Sequence, residues 1–353
     1  MTTTPIESSD AEDTSHAIEI ACDESGSDGE NLIESRHRVF SHASTDLTME
    51  EADDIVGKIR RLFRSQGAEL KSKEMLTGNG IDRVAELFNE TGPLHGRTHM
   101  HLLDKQYFAV GKIVDLLVEE EAYGRGIDLY SNGVARQIAS DLFRHGRRAL
   151  GGEHWDKLVS AFVSLIRRTQ RKGTKATLED FYAVVDDVRL RSHRTDVRRA
   201  LALVWQSRRQ AEQYSDPEAL SQLRHLEPIM EALFPTASYW ADRHDCPVRL
   251  VHDRQTIITE GATRLLVHIA NNPHPDIPHA VALAGIDQVD SRLDARVQIA
   301  DLTAGLGRIA GELALEGGLP ANIQSTVRPL IDKKSVWDDD QSWIALTGRA
   351  VGT

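Results

Sequence analysis

At 353 residues and 40% hydrophobic content, the chain can bury a sizeable core as one large domain or two ordinary ones. No stretch approaches the roughly 20 apolar residues that span a bilayer, and the start, MTTTPIESSDAEDTS, lacks the basic and apolar regions of a signal peptide, so a soluble, cytoplasmic protein without a membrane partner is expected. The two cysteines, Cys22 and Cys246, form no CxxC pair; they argue against a disulfide framework or a cysteine zinc site and read as small buried hydrophobes.

The net charge of −12 disfavours a nucleic-acid partner on average, but the charge is unevenly spread. Residues 136–209 carry 17 Lys+Arg against 8 Asp+Glu, a balance of +9, which leaves 25 basic and 46 acidic residues elsewhere. Such asymmetry marks either a surface for a polyanion, RNA or DNA, or a set of solvated arginine-rich helix faces.

In chain order, residues 1–15 are polar and acidic and read as a disordered tail. Ala17 to Gly26, AIEIACDESG, is an apolar strand ending in Asp23, Glu24 and a glycine turn, and Arg38 to Ala43 reads as its hairpin or meander partner. Thr48 and Glu51 form a capping box for a helix with Ile55, Ile59, Leu62 and Phe63 on one face. GAELKSKEML reads as an extended piece that places Glu69 and Lys71 on one side. A helix from about Ile81 to Phe88, a strand from Arg97 to Leu103 and a helix from Tyr107 to Glu119 follow.

From about Gly126 to Phe234 apolar residues recur at helical spacing without convincing strands, as in Val159, Phe162, Val163 and Ile166. Then come a strand VRLVHD ending in Asp253, a helix near Gly261 to Ile269, a strand Ala280 to Ile286, and a long helix from about Arg296 to Leu315. Residues beyond Gly318 read as an irregular tail that packs back. The class is α/β, a partly parallel sheet flanked by helices. The expected divisions are 16–125 and 236–317 for the α/β domain, 126–235 for an inserted all-helical subdomain, and 318–353 for the tail.

Asp23, Glu69, Asp253 and Asp301 stand where a sheet-based metal site needs them, since ligands gather beyond the C-terminal ends of strands. Clustered carboxylates suit a hard cation such as Mg²⁺ or Mn²⁺. Asp301 is the only charged residue between Arg296 and Arg308, on an otherwise apolar helix, so it needs a cation or strong donors beside it. A metal site meets that need; so does pairing with Arg292, Arg296 or Arg308. Strand alternation points Asp23 and Glu24 to opposite faces, with Asp23 chosen for the site and Glu24 for the turn or an outer contact.

DESG at 23–26, ELK at 69–71, Asp104-Lys105 at a strand end, VHD at 251–253 and DSRLDARVQIADLTAG at 290–305 resemble, in this order, the domain of unknown function 3800 family. The likeness covers about 17–120 and 245–315. It implies a ribonuclease H-like fold in which acidic residues from the first strand, a middle element, a later strand and the last helix gather two divalent metals for phosphodiester hydrolysis. Carried over by position, Asp23, Asp253 and Asp301 would be ligands, Glu69 or Glu24 would complete the set, and Lys71 would neutralise phosphate charge or orient water.

The Glu69-x-Lys71 spacing also suits a restriction-endonuclease-like site, which Asp301 on a terminal helix fits less well. His99 and His101 share a strand face and, with His95, could attract zinc, though a polar strand face or a phosphate contact suits them better without cysteines. Asp294 reads as a helix cap and Asp290 as a reserve ligand. No GxxxxGKS, GxSxG or strand-borne GxGxxG occurs, which leaves nucleotide-triphosphatase, serine hydrolase and dinucleotide enzymes without support. The leading expectation is a metal-dependent nuclease or phosphodiesterase. The alternatives are a non-catalytic nucleic-acid- or protein-binding regulator and a hydrolase of a small phosphorylated metabolite or nucleotide.

Overall fold

β1 (Ile18–Ser25) forms where the sequence is a short apolar run, and Ile20, Ala21 and Cys22 are wholly buried. Both sides of such a strand must be paired and both faces covered. In the computed structural model, which describes residues 17–65, 67, 69–167, 175–215, 226–272 and 280–352, this is what happens. The expected disordered tail at 1–15 lies outside the described residues, as do 168–174 of the basic segment.

β1 pairs antiparallel with β2 (Val39–Thr45), the expected meander partner, and β2 pairs antiparallel with β3 (Thr98–Asp104). On its other side β1 runs parallel to β4 (Val248–Asp253), which runs parallel to β5 (Leu283–Val289). The sheet of the described residues is therefore mixed, in the order β3-β2-β1-β4-β5. Asp23 and Asp253 lie near the same end of the two parallel strands. Gly26 turns the chain there: its φ is +84°, and a Cβ would fall 2.3 Å from the Val39 carbonyl oxygen, so only glycine fits the end of DESG.

Between β2 and β3 the chain forms α1 (Met49–Phe63), α2 (Ser72–Met75) and α3 (Gly80–Ala85), the last followed by a 3₁₀ turn over Glu86–Phe88. Thr48 and Glu51 close the capping box as the sequence requires. The face of α1 is Ala52, Ile55, Val56 and Ile59; Leu62, expected there, is 45% exposed near the helix end. Glu69 to Lys71 are not a strand but an irregular link into α2, because no sheet edge lies beside them to pair with.

α4 (Lys105–Ile113) continues through a π-helical turn, Val114–Glu119, into α5 (Glu120–Tyr123). Between there and β4 the regular elements of the described residues are all helices: α6 (Val134–Leu150), α7 (Gly152–Ile166), α8 (Leu178–Arg189), α9 (Thr195–Gln206), a 3₁₀ turn over Gln210–Ser215 and α10 (Pro228–His244). Their apolar residues, among them Trp155, Phe162, Phe181 and Trp240, form one cluster with Ile20, Cys22 and Phe40 from the sheet. α10 crosses the position where the sequence suggested a boundary, with Pro235 inside it.

After α11 (Glu260–Asn271) and β5 comes α12 (Ala295–Leu315), which covers the opposite sheet face with α1 through Ala295, Ile299, Leu302 and Leu306. The tail is not irregular. It contains α13 (Ala321–Val327) and α14 (Asp340–Thr347), and its Ile331 and Val336 bridge to Met100 and Leu103 along the outer edge of β3. Trp337 is 1% exposed. The helices are too short, and too close to Pro320 and Pro329, for a period to be read from the sequence. Among the described residues no helix is long and apolar enough to cross a membrane.

Candidate metal centre

The strand ends bring Asp23 (8% exposed) and Asp253 to one place, and α12 lays Asp301 over it. Asp301 accepts from the Ser72 backbone N–H and the Ser72 hydroxyl, both at 2.8 Å. None of the three arginines weighed as its partner is used for that purpose. Arg292 is bound to Asp290, Arg296 to Asp294 and Glu19, and Arg308 to Ser25 and Glu312.

Glu69 joins from the link before α2. Its Oε1 accepts from the Lys71 ammonium at 2.5 Å and from the Ser291 hydroxyl at 2.9 Å, while the Ser291 N–H donates to Asp253 at 3.1 Å. Ser291 thus ties two expected ligands together. Gln298, one turn before Asp301, accepts from the Leu70 N–H at 3.1 Å and donates to the Ser291 carbonyl at 2.8 Å. Both residues were missed from sequence. Gln298 had a signal, being polar and three residues from Asp301 on an apolar helix; Ser291 in a turn had none.

Electrostatics records the convergence. Burial, then the charges of Glu24, Asp301 and Asp253, push the Asp23 carboxyl well above its ordinary pKa. Burial also raises Asp301, although the Ser72 donors and Lys71 hold it down. For Lys71, burial works against the charge, but pairing with Glu69 and the fields of Asp301 and Asp23 outweigh it, and its pKa rises. Carboxylates that oppose one another's ionisation lack positive charge between them. A divalent ion would supply it; among the described residues the ligand atoms that lie within 4.8 Å of one another here belong to Asp23, Glu24 and His252, while Asp253, Asp301 and Glu69 stand further out in the same acidic cluster.

Of the roles expected for it, Glu24 suits that of a possible ligand better than a mere turn contact. It does lie on the other face of β1, opposite His42, yet at the strand end its carboxylate, that of Asp23 and His252 each present a ligand atom within 4.8 Å of one another. Alternation separates Cα–Cβ directions, not the tips of long side chains at a strand end. His252 was missed; its position two residues after the buried Leu250 in VRLVHD was the available signal.

Of the remaining candidates, Asp294 caps α12 by accepting from the Arg296 and Val297 N–H groups. Asp290 is engaged by Arg292, whose hydrogen bonds hold its pKa well down. His99 and His101 form the expected polar strand face with Ser44 and His42, but it is buried, His99 stacking on Tyr239 of α10 and lying 3.4 Å from Asp332, and His95 is exposed at a turn. Cys22 is buried and Cys246 half-buried. A second group with metal-ligand spacing, Asp141, His145 and Asp196, lies on α6 and α9, where Asp196 already pairs with Arg194.

The basic segment is partly neutralised in place. Arg144 pairs with Asp338 and Asp340, Arg147 with Asp156, Arg189 with Asp186, and Arg191 with Asp187. Beside the carboxylates, Lys71, Arg254 and Arg292 are likewise paired, Lys71 with Glu69 and both arginines with Asp290, and their side chains are 45%, 72% and 64% exposed. Compared with protein-family profiles, curated proteins and solved structures, the chain matches none.

Proposed function

We propose that this chain is a Mg²⁺- or Mn²⁺-dependent hydrolase of phosphodiesters, nuclease-like, on a ribonuclease H-like scaffold, as its resemblance to the domain of unknown function 3800 family implies. The observation that carries the reading is the convergence of Asp23, Asp253 and Asp301 from β1, β4 and α12, with Glu69 brought in by Ser291. The carboxylates come from a first strand, a middle element, a later strand and the last long helix.

Bound there, divalent ions would activate a water and stabilise the leaving oxygen of the phosphodiester. Asp23, Asp253, Asp301 and Glu69 would hold them. Lys71, fixed by Glu69, offers a positive charge to the phosphate, and Arg254 and Arg292 extend that charge outward as the first contact for a polyanion. The substrate class we favour is nucleic acid, recognised first through this rim because it adjoins the carboxylates, with residues 136–209 as a further basic surface.

The test is incubation of the purified protein with end-labelled RNA, single-stranded and duplex DNA, and a panel of nucleotides, with Mn²⁺, Mg²⁺ or EDTA. Metal-dependent cleavage of a polynucleotide that Asp23→Asn and Asp301→Asn abolish is the expected result. Cleavage confined to small phosphorylated compounds would transfer the site to metabolite hydrolysis. Absence of cleavage, with no Mn²⁺ binding by calorimetry, would overturn the proposal and leave a binding protein whose oligonucleotide affinity depends on arginines, not on Asp301.

A further inference from the structure

On the sheet face beneath α10, opposite α12, β1 and β4 pair with Cys22 beside His252, and β1 and β2 pair with Glu24 beside His42. His252 is 0% exposed. Its Nδ1 lies 2.9 Å from the Asp253 carbonyl oxygen, an atom that only accepts, so Nδ1 carries a hydrogen and is engaged, which leaves Nε2 as the free end of the ring. Nε2 faces Glu24 Oε2 at 3.6 Å, and both atoms are buried without a hydrogen-bond partner. The other oxygen of Glu24 is occupied, accepting from Gln255 Nε2 at 2.7 Å.

Two buried polar atoms held side by side with no hydrogen-bond partner are unfavourable unless something bridges them. A shared proton fits poorly, because 3.6 Å is beyond a normal N–H···O bond. A metal ion fits well. Two ligands of a tetrahedral ion at about 2.1 Å stand roughly 3.4 Å apart, close to the observed separation, and Asp23 brings a third ligand atom within 4.8 Å of both. The His42 ring stacks on His252 with centroids 5.3 Å apart, and its Nδ1 is 3.0 Å from the Thr236 hydroxyl, so the imidazole plane is held.

We propose that Asp23, Glu24 and His252 form a histidine-bearing cation subsite, distinct in composition from the all-oxygen set of Asp253, Asp301 and Glu69 and sharing Asp23 with it. Imidazole suits first-row ions such as Zn²⁺, Fe²⁺ and Ni²⁺, with Mn²⁺ the weakest binder of that series, whereas Mg²⁺ takes oxygen and keeps its waters. The subsite therefore selects a first-row transition ion over Mg²⁺, and Mn²⁺, which tolerates both donor types, is the probe that reports the nitrogen. This rests on the reading that the carboxylate cluster binds divalent ions, and it specifies which ion the Asp23 side takes.

The experiment is titration of the full chain with MnCl₂ and separately MgCl₂ by calorimetry, together with electron spin-echo spectroscopy of the Mn²⁺-loaded protein prepared with natural and ¹⁵N-labelled histidine. The expected result is nitrogen modulation that changes on ¹⁵N labelling. Mn²⁺ affinity should fall in His252→Gln and Glu24→Gln by at least roughly tenfold, the scale on which even a ligand's hydrogen-bond partner acts, with Mg²⁺ affinity little altered. Mn²⁺ binding without histidine nitrogen modulation overturns the subsite and leaves the carboxylate centre intact. Absence of any Mn²⁺ binding overturns both. The labelled wild-type spectrum separates these outcomes even if either variant fails to fold.

Discussion

Asp301 receives both its hydrogen bonds from one residue, Ser72, which ties the middle of α12 to the link that carries Glu69 and Lys71. The contact depends on an absent side chain. A Cβ on Gly305, four residues beyond Asp301, would lie 2.7 Å from Ser72 Cβ and 2.7 Å from Leu76 Cδ1. Gly305→Ala should push α2 away, cost about 1–3 kcal/mol by overpacking, and lower hydrolysis more than Ser72→Ala. The latter loses only the hydroxyl bond, at about 1 kcal/mol. Urea unfolding and turnover measured on both variants check the order.

Asp23→Asn should abolish hydrolysis and yet stabilise the metal-free protein. The folded state opposes ionisation of Asp23, through burial and then Glu24, Asp301 and Asp253. A carboxyl with a raised folded pKa contributes stability at low pH that is lost as pH rises through that pKa, so at neutral pH the charge is a cost. The gain in EDTA should be of the 0.5–2 kcal/mol typical of relieved site strain and should grow as pH rises above about 4, where the unfolded carboxyl ionises. An unchanged or lower melting temperature would mean the carboxylates are compensated within the protein.

Saturating Mn²⁺ should reverse that ranking. A ligand at 100 times its dissociation constant stabilises by about 2.7 kcal/mol, so the wild type should gain several degrees in melting temperature while Asp301→Asn gains little. Equal gains in both would remove Asp301 from the ligand set.

Burial lowers the His101 pKa to about 4, more than Asp332 and Glu231 can restore. The unfolded chain takes up this proton near pH 6.5 and the folded protein only near 4, so stability is complete above 6.5 and falls as pH drops through that window. The loss is up to about 3 kcal/mol. His42, lowered by burial and by its histidine neighbours, acts in the same direction. His101→Leu should flatten the dependence and exceed the wild type at pH 5 in denaturant titrations; a wild-type midpoint that does not move between pH 7 and 5 would contradict this.

What the sequence determined by itself is what local chemistry decides. The apolar run into DESG, the Thr48–Glu51 cap, the VRLVHD strand and the long helix through Asp301 are set by residues within a few positions of one another, and they place the principal carboxylates at element ends or in a helix middle. The tertiary structure alone decided the rest, because those contacts join distant segments. No local pattern shows that Ser72 would satisfy Asp301, that Ser291 would bridge Asp253 and Glu69, or that the arginines near Asp301 would be engaged elsewhere. Glu24 marks the limit most clearly: alternation gave its face correctly, but only the parallel pairing of β1 with β4 puts the His252 nitrogen 3.6 Å from its oxygen.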